Sequence, residues 1–171
     1  MTTGAELLVD AFGRVQEAVH EVVSGLTVEQ VHARLDPEAN SIAWLLWHLT
    51  RVQDDHIAEA AGLDQVWLRD GFEERFGLPL DRRAIGYGHT SAEVAAVRVE
   101  DPKLLLDYHD SVHQQTVGYV GGLTDADFDR VVDRSWDPAV TLAVRLISVV
   151  GDTMMHVGQA QFISGVLDRR G

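Results

Sequence analysis

At 171 residues, 46% of them apolar, the chain has material for one domain, 1-171, around one sizeable core. A formal charge of -13, from 27 acidic against 14 basic residues with no basic stripe, excludes a nucleic-acid backbone as a partner. With no cysteine the protein has neither disulfides nor a thiol nucleophile of its own, so any thiol it uses must be brought in.

The first ten residues lack a signal-like apolar run, and no apolar stretch reaches membrane-spanning length. The expectation is a soluble cytoplasmic protein with no membrane contact. From Ala5 to Gly25, Leu8, Phe12, Val15, Val19 and Val22 recur at spacings of three and four, which predicts a first long helix stopped by Gly25. Thr27 and Gln30 form a capping box for a short helical turn, and Ser41 caps a second long helix running to about Ala61. From Gly62 to Asp101 the pattern weakens into a long connection with a short helix over Ser91 to Arg98. Pro102 opens a third helix carrying Leu105, Tyr108, Val112, Thr116 and Tyr119 up to Gly121-Gly122. A fourth follows Asp137-Pro138 and runs from about Val140 to Asp168. Four long helices, a crossover between the second and third, and no strand alternation predict an all-α four-helix bundle.

Asp152 and His156 stand one turn apart on one face of the fourth helix, within a run of Leu, Ile, Val and Met that should be buried. Their desolvation requires a partner, and a metal ion is the obvious one. On the second helix His48 lies beside the inner stripe of Leu45, Leu49 and Val52, so it faces the bundle interior. His48, Asp152 and His156 with one position left open match the donor set of a catalytic zinc site. The alternative is a buried Asp-His hydrogen-bonded pair between helices.

The words Ser41-Ile-Ala-Trp-Leu-Leu-Trp-His48-Leu and Asp152-Thr-Met-Met-His156-Val-Gly158-Gln159 resemble the DinB-like metal-binding superfamily. The resemblance covers nearly the whole chain, since helix count, crossover and ligand order also fit. It implies an up-down-down-up four-helix bundle, a divalent metal such as zinc or nickel held by His48, Asp152 and His156, and a homodimer. Several relatives activate a low-molecular-weight thiol, among them mycothiol-dependent maleylpyruvate isomerase and thiol S-transferases. The implied activity is therefore transfer of a mycothiol-like thiol to a small electrophile. Isomerase activity is not carried over, because that enzyme uses an additional C-terminal domain. Asp152 stands where most relatives have histidine, which makes the site more anionic. Two other readings stay open: a noncatalytic metal-binding, stress-related or dimerisation module, and a metal-dependent hydrolase of a small amide or ester.

The remaining polar residues divide by position. His109 and His113, an i, i+4 pair on the third helix, read as a solvated helix edge. His56 lies about 12 Å along the second helix from His48, too far to share its ion, but can line a pocket. Arg51 and Asp55 read as surface ion pairs. The segment Arg82 to Ser91 reads as turn chemistry before a helix capped by Thr90 or Ser91, with an anion-accommodating loop as the sharper alternative. Trp44, Trp47, Met154 and Met155 read as core or interface packing. Gly158 reads as a close-approach position between helices and Gln159 as a polar support for the ligands.

Overall fold

The computed structural model describes residues 1–170. Four long helices carry the core: α1 (Gly4–Val23), α3 (Ile42–Ala61), α7 (Lys103–Val120) and α8 (Leu142–Asp168), with the short α2 (Val28–His32) after α1. Each of the four packs chiefly on two others, α3 on α8 and α7, and α1 on the same pair. Their starts are set by side-chain caps: Thr3 and Thr27 form capping boxes with Glu6 and Gln30, while Ser41 and Thr141 accept from the backbone N–H of Trp44 and Val144. Pro102 stands one position before the first helical residue of α7 rather than inside it.

The core falls into two apolar clusters. One gathers Val15 to Val23 of α1, Ile42 to Leu49 of α3, Leu105 to Val112 of α7 and Val157 to Ile163 of α8. The other gathers Leu8 and Phe12 of α1, Ile57 and Ala60 of α3, Val120 of α7 and Leu142 to Val149 of α8. Between them on the three later helices lie the buried polar residues Gln53, Thr116 and Thr153. Gln53 Nε2 donates to Thr116 Oγ1 at 2.9 Å, and the Thr116 and Thr153 hydroxyls donate to the carbonyls of Val112 and Val149 in their own helices.

The connection from Gly62 to Pro102 contains three short helices, α4 (Val66–Arg69), α5 (Phe72–Phe76) and α6 (Ser91–Ala96), where sequence periodicity predicts only the last. Trp67, Phe72 and Phe76 of this crossover are buried against Tyr108 of α7. The crossover thereby covers the face of α3 that the sequence pattern assigns to solvent, and sixteen of the twenty residues of α3 are buried.

That cover corrects the reading of Arg51 as a surface residue: its side chain is fully buried. Arg51 Nη1 donates to Gln65 Oε1 at 3.0 Å and to the Tyr108 hydroxyl at 3.3 Å, Nε donates to the Ala84 carbonyl at 3.2 Å, and the guanidinium lies 5.0 Å from the Trp67 ring centroid. Its counter-charge is Asp54, also fully buried, whose carboxylate accepts from the Val66 and Trp67 amides at 2.8 Å and from the Tyr108 hydroxyl at 2.9 Å. Asp55 is partly exposed and accepts from Gln65 Nε2 at 2.7 Å.

Three further expectations are revised. A two-stranded antiparallel ribbon, β1 (Val131–Asp133) with β2 (Val140–Thr141), precedes α8, so Val140 belongs to a strand rather than to the helix start. Gly158 is exposed with open space around it, so it makes no close helix contact. Met154 and Met155 are exposed, so they take no part in the core and only the interface half of their reading stays open; with Val144, Ile147 and Phe162 they form an apolar stripe along the outside of α8.

The His109 and His113 pair is not a solvated edge either. His109 is 1% exposed and neither ring nitrogen has a hydrogen-bond partner. Burial, with His113 adding to it, lowers its pKa from 6.5 to about 3. The unfolded chain therefore takes up a proton below pH 6.5 that the folded chain refuses until about pH 3. Stability is unaffected by this group above that window and falls as pH drops through it. The pKa values of His32, His48, His56 and His113 are lowered in the same sense. His109→Leu is expected to flatten, not abolish, the decline of the urea midpoint across the window. An unchanged slope would show that His109 finds water in the folded state.

Candidate metal centre

At the level of α8 where Thr153 interrupts the apolar core, α3 and α8 bring three donors together. One ligand atom from each of His48, Asp152 and His156 lies within 4.8 Å of the others, and this is the only such His/Cys/Asp/Glu group among the described residues. The rings of His48 and His156 are 4.8 Å apart, and His156 Nε2 is 3.7 Å from Asp152 Oδ1, a gap that two ligand bonds of about 2.1 Å to a shared ion can span. His48 is buried while Asp152 and His156 are about one-fifth exposed, so the group is closed on the α3 side and open on the other.

Both imidazoles are held in the tautomer a metal needs. His48 Nδ1–H donates to the Ile85 carbonyl, and His156 Nδ1–H donates to Gln159 Oε1 at 3.0 Å. Each Nε2 is thereby left as a lone pair. Gln159 supplies the polar support its position in the sequence suggests. Burial lowers the pKa of His48, which keeps the ring neutral and its lone pair available. Asp152 Oδ2 is buried with no hydrogen-bond partner. An orphaned carboxylate oxygen beside two imidazole lone pairs fits a divalent cation and fits a plain Asp-His pair less well, since a pair leaves that oxygen unsatisfied.

The crossover shapes the other wall. Gly86 has φ +103°, a conformation that suits glycine, and a Cβ built on it would lie 2.4 Å from His48 Nδ1. Gly86 thus lets the Ile85 carbonyl reach the imidazole, and Tyr87 sets its ring edge-on to His48 at 5.4 Å. Arg51, bonded to the carbonyl of Ala84, holds the same loop from the other side. Gly86→Ala is expected to destabilise the fold by about 1–3 kcal/mol from backbone strain. It should also weaken metal binding by displacing His48; isothermal titration with zinc and urea unfolding check the two effects, and unchanged affinity would show that the Ile85 contact does not orient the ring.

Trp44, one turn before His48, is more than a packing residue. It stacks on His48 at 4.6 Å, meets His156 edge-on at 6.3 Å and donates its indole N–H to His89 Nδ1 at 3.2 Å. The i, i+4 spacing of Trp44 and His48 was the available signal. His89 and Gly86 carried none, because loop residues reach a helix only through the fold. His109 and His113 lie on α7, outside the group, and His56 also stays outside it, as its distance along α3 requires.

The model of the DinB superfamily matches residues 11–160. The chain belongs to the DinB superfamily. A solved structure described as a conserved protein from Enterococcus faecalis superimposes on this DinB chain with a TM-score of 0.90 and 30% identity, over 96% of each chain. No curated protein matches. Among the described residues no helix of this DinB chain is long and apolar enough to cross a membrane.

Proposed function

We propose that this DinB chain is a divalent-metal enzyme that joins a low-molecular-weight thiol to a small electrophile, with His48, Asp152 and His156 as the metal ligands. The convergence of two imidazole lone pairs and an unsatisfied carboxylate oxygen on one open-sided point carries the reading. A divalent ion bound there supplies one chemistry above all, lowering the pKa of a coordinated thiol until it is held as the nucleophilic thiolate. A chain without cysteine needs that thiol from outside.

The protein's own side chains prepare the place. The Ile85 carbonyl and Gln159 aim the imidazoles, and Trp44 seals the site on the α3 side. The charge of Asp152 offsets part of the ion's and moderates the acidity of whatever occupies the open position. Zinc or nickel suits a donor set of two imidazoles and one carboxylate. The order in which each helix meets the two apolar clusters, reversed in α3 and α7 relative to α1 and α8, supports the up-down-down-up arrangement in a single domain over 1-171. We further infer a cytoplasmic homodimer, a second copy covering the exposed stripe of Val144, Ile147, Met154, Met155 and Phe162.

The test is turnover by the zinc- or nickel-loaded protein of an electrophile panel with mycothiol and simpler thiols, beside an ester and amide panel without thiol. Thiol-dependent conjugation that disappears on chelation is expected. Hydrolysis without thiol would replace transfer by hydrolase chemistry. A metal that raises the melting temperature while neither panel turns over would make the protein a binding module.

A further inference from the structure

A cleft of about 380 Å³ runs between α3 and α8 away from the ligand group. Asp152 belongs to both the ligand group and the wall of the cleft, so the cleft opens onto the centre. Tyr87, whose ring touches His48, forms its roof, and Arg145 and His56 close the far end. Arg145 precedes Asp152 by seven residues on one helix, so the two ends of the cleft lie about 10 Å apart.

The far end is built to donate hydrogen bonds. Arg145 Nη1 donates to His56 Nδ1 at 3.0 Å, which fixes that nitrogen as the acceptor and places the proton of the neutral ring on Nε2. Burial and the adjacent Arg145 lower the pKa of His56, which keeps the ring in that neutral form. Arg145 Nη2 donates to Asp133 Oδ2 at 3.0 Å and lies 4.0 Å from Glu59 Oε2, whereas among the described residues the hydrogen bonds of the guanidinium leave Nε unengaged. The Arg145 side chain is only 14% exposed, an unusual place for a guanidinium with a free donor. Resting on the metal and thiol reading above, we propose that the cleft binds a carboxylate-bearing small molecule, its carboxylate against Arg145 and His56 and its reacting end at the His48, Asp152 and His156 group. A monoanion suits the site better than a phosphate dianion, because Asp55, Glu59, Asp133 and Asp152 already surround it with negative charge.

The test loads the full-length protein with cobalt and titrates it with thiols while following the thiolate-to-cobalt absorption band. Mercaptohexanoate, long enough to extend from the metal toward Arg145, is expected to bind about tenfold tighter than mercaptohexanol, the gain of one charge-assisted contact. In Arg145→Met the tenfold preference for mercaptohexanoate over mercaptohexanol is expected to vanish. Equal affinities of the two long thiols in the wild type overturn the assignment whether or not the variant folds, as does a preference that survives in a folded Arg145→Met. Cobalt bound with no thiolate band for any thiol overturns the thiol reading itself, and this inference with it.

Discussion

Replacing Asp54 with alanine is expected to destabilise the protein by about 3–5 kcal/mol, because it strands a fully buried arginine without its counter-charge. The pair stands at the centre of a polar knot. The Asp54 carboxylate receives two backbone amides of the crossover and the Tyr108 hydroxyl, and Arg51 sits beside it with no solvent access. Burial raises the carboxyl pKa of Asp54, against which the Trp67 and Val66 amides, the Tyr108 hydroxyl and Arg51 all pull down. Removing the carboxylate unsatisfies those donors together, and urea unfolding measures the cost. The double replacement Arg51→Met with Asp54→Leu should cost less than Asp54→Ala alone, since it removes both charges and leaves apolar volume. A loss below about 1 kcal/mol for Asp54→Ala would mean that water reaches Arg51 once the carboxylate is gone.

The second large effect concerns metal. His48→Ala, Asp152→Ala and His156→Ala are each expected to lower zinc or nickel affinity by on the order of 100-fold or more, since losing even a residue that supports a ligand costs 10- to 100-fold. Elemental analysis of gently purified protein gives the stoichiometry, and titration of the stripped protein gives the affinity. His109→Ala and His113→Ala, outside the group, should keep full metal content, and helical circular dichroism should persist in the His48 variant. Near-stoichiometric metal retained in both His48→Ala and Asp152→Ala would dissolve the proposed site and leave a helical protein with a buried polar pair.

Much of this was legible from residue spacing. The caps at Ser41 and Thr27, the apolar stripes of α1 and α7, and the i, i+4 pair of Asp152 and His156 are local, and local rules of helix geometry apply whatever else the chain does. The errors share a cause. The face of its own helix places each of Arg51, His109 and Gly158 at the surface or in the interior, yet what buries Arg51 is the crossover folding back over α3 and what exposes Gly158 is the lack of any element over the outer face of α8. A helical wheel shows which residues share a side and is silent on how many sides are covered.

The donor types, their order and their placement on two helices are properties of the amino-acid sequence, because three side chains one or two turns from apolar anchors can face only a limited set of directions. Whether those donors meet, which imidazole nitrogen is free, and what stands beside them was decided by tertiary structure. The Ile85 carbonyl, the left-handed Gly86, the tilt of Tyr87 and the pairing of Arg145 with His56 all depend on chain segments 33 to 89 residues apart being brought together, as the separations of Arg51 from Ala84 and of His56 from Arg145 illustrate. No local propensity encodes such a meeting. It follows from the burial of two apolar clusters at once, which leaves the crossover one way to lie across α3.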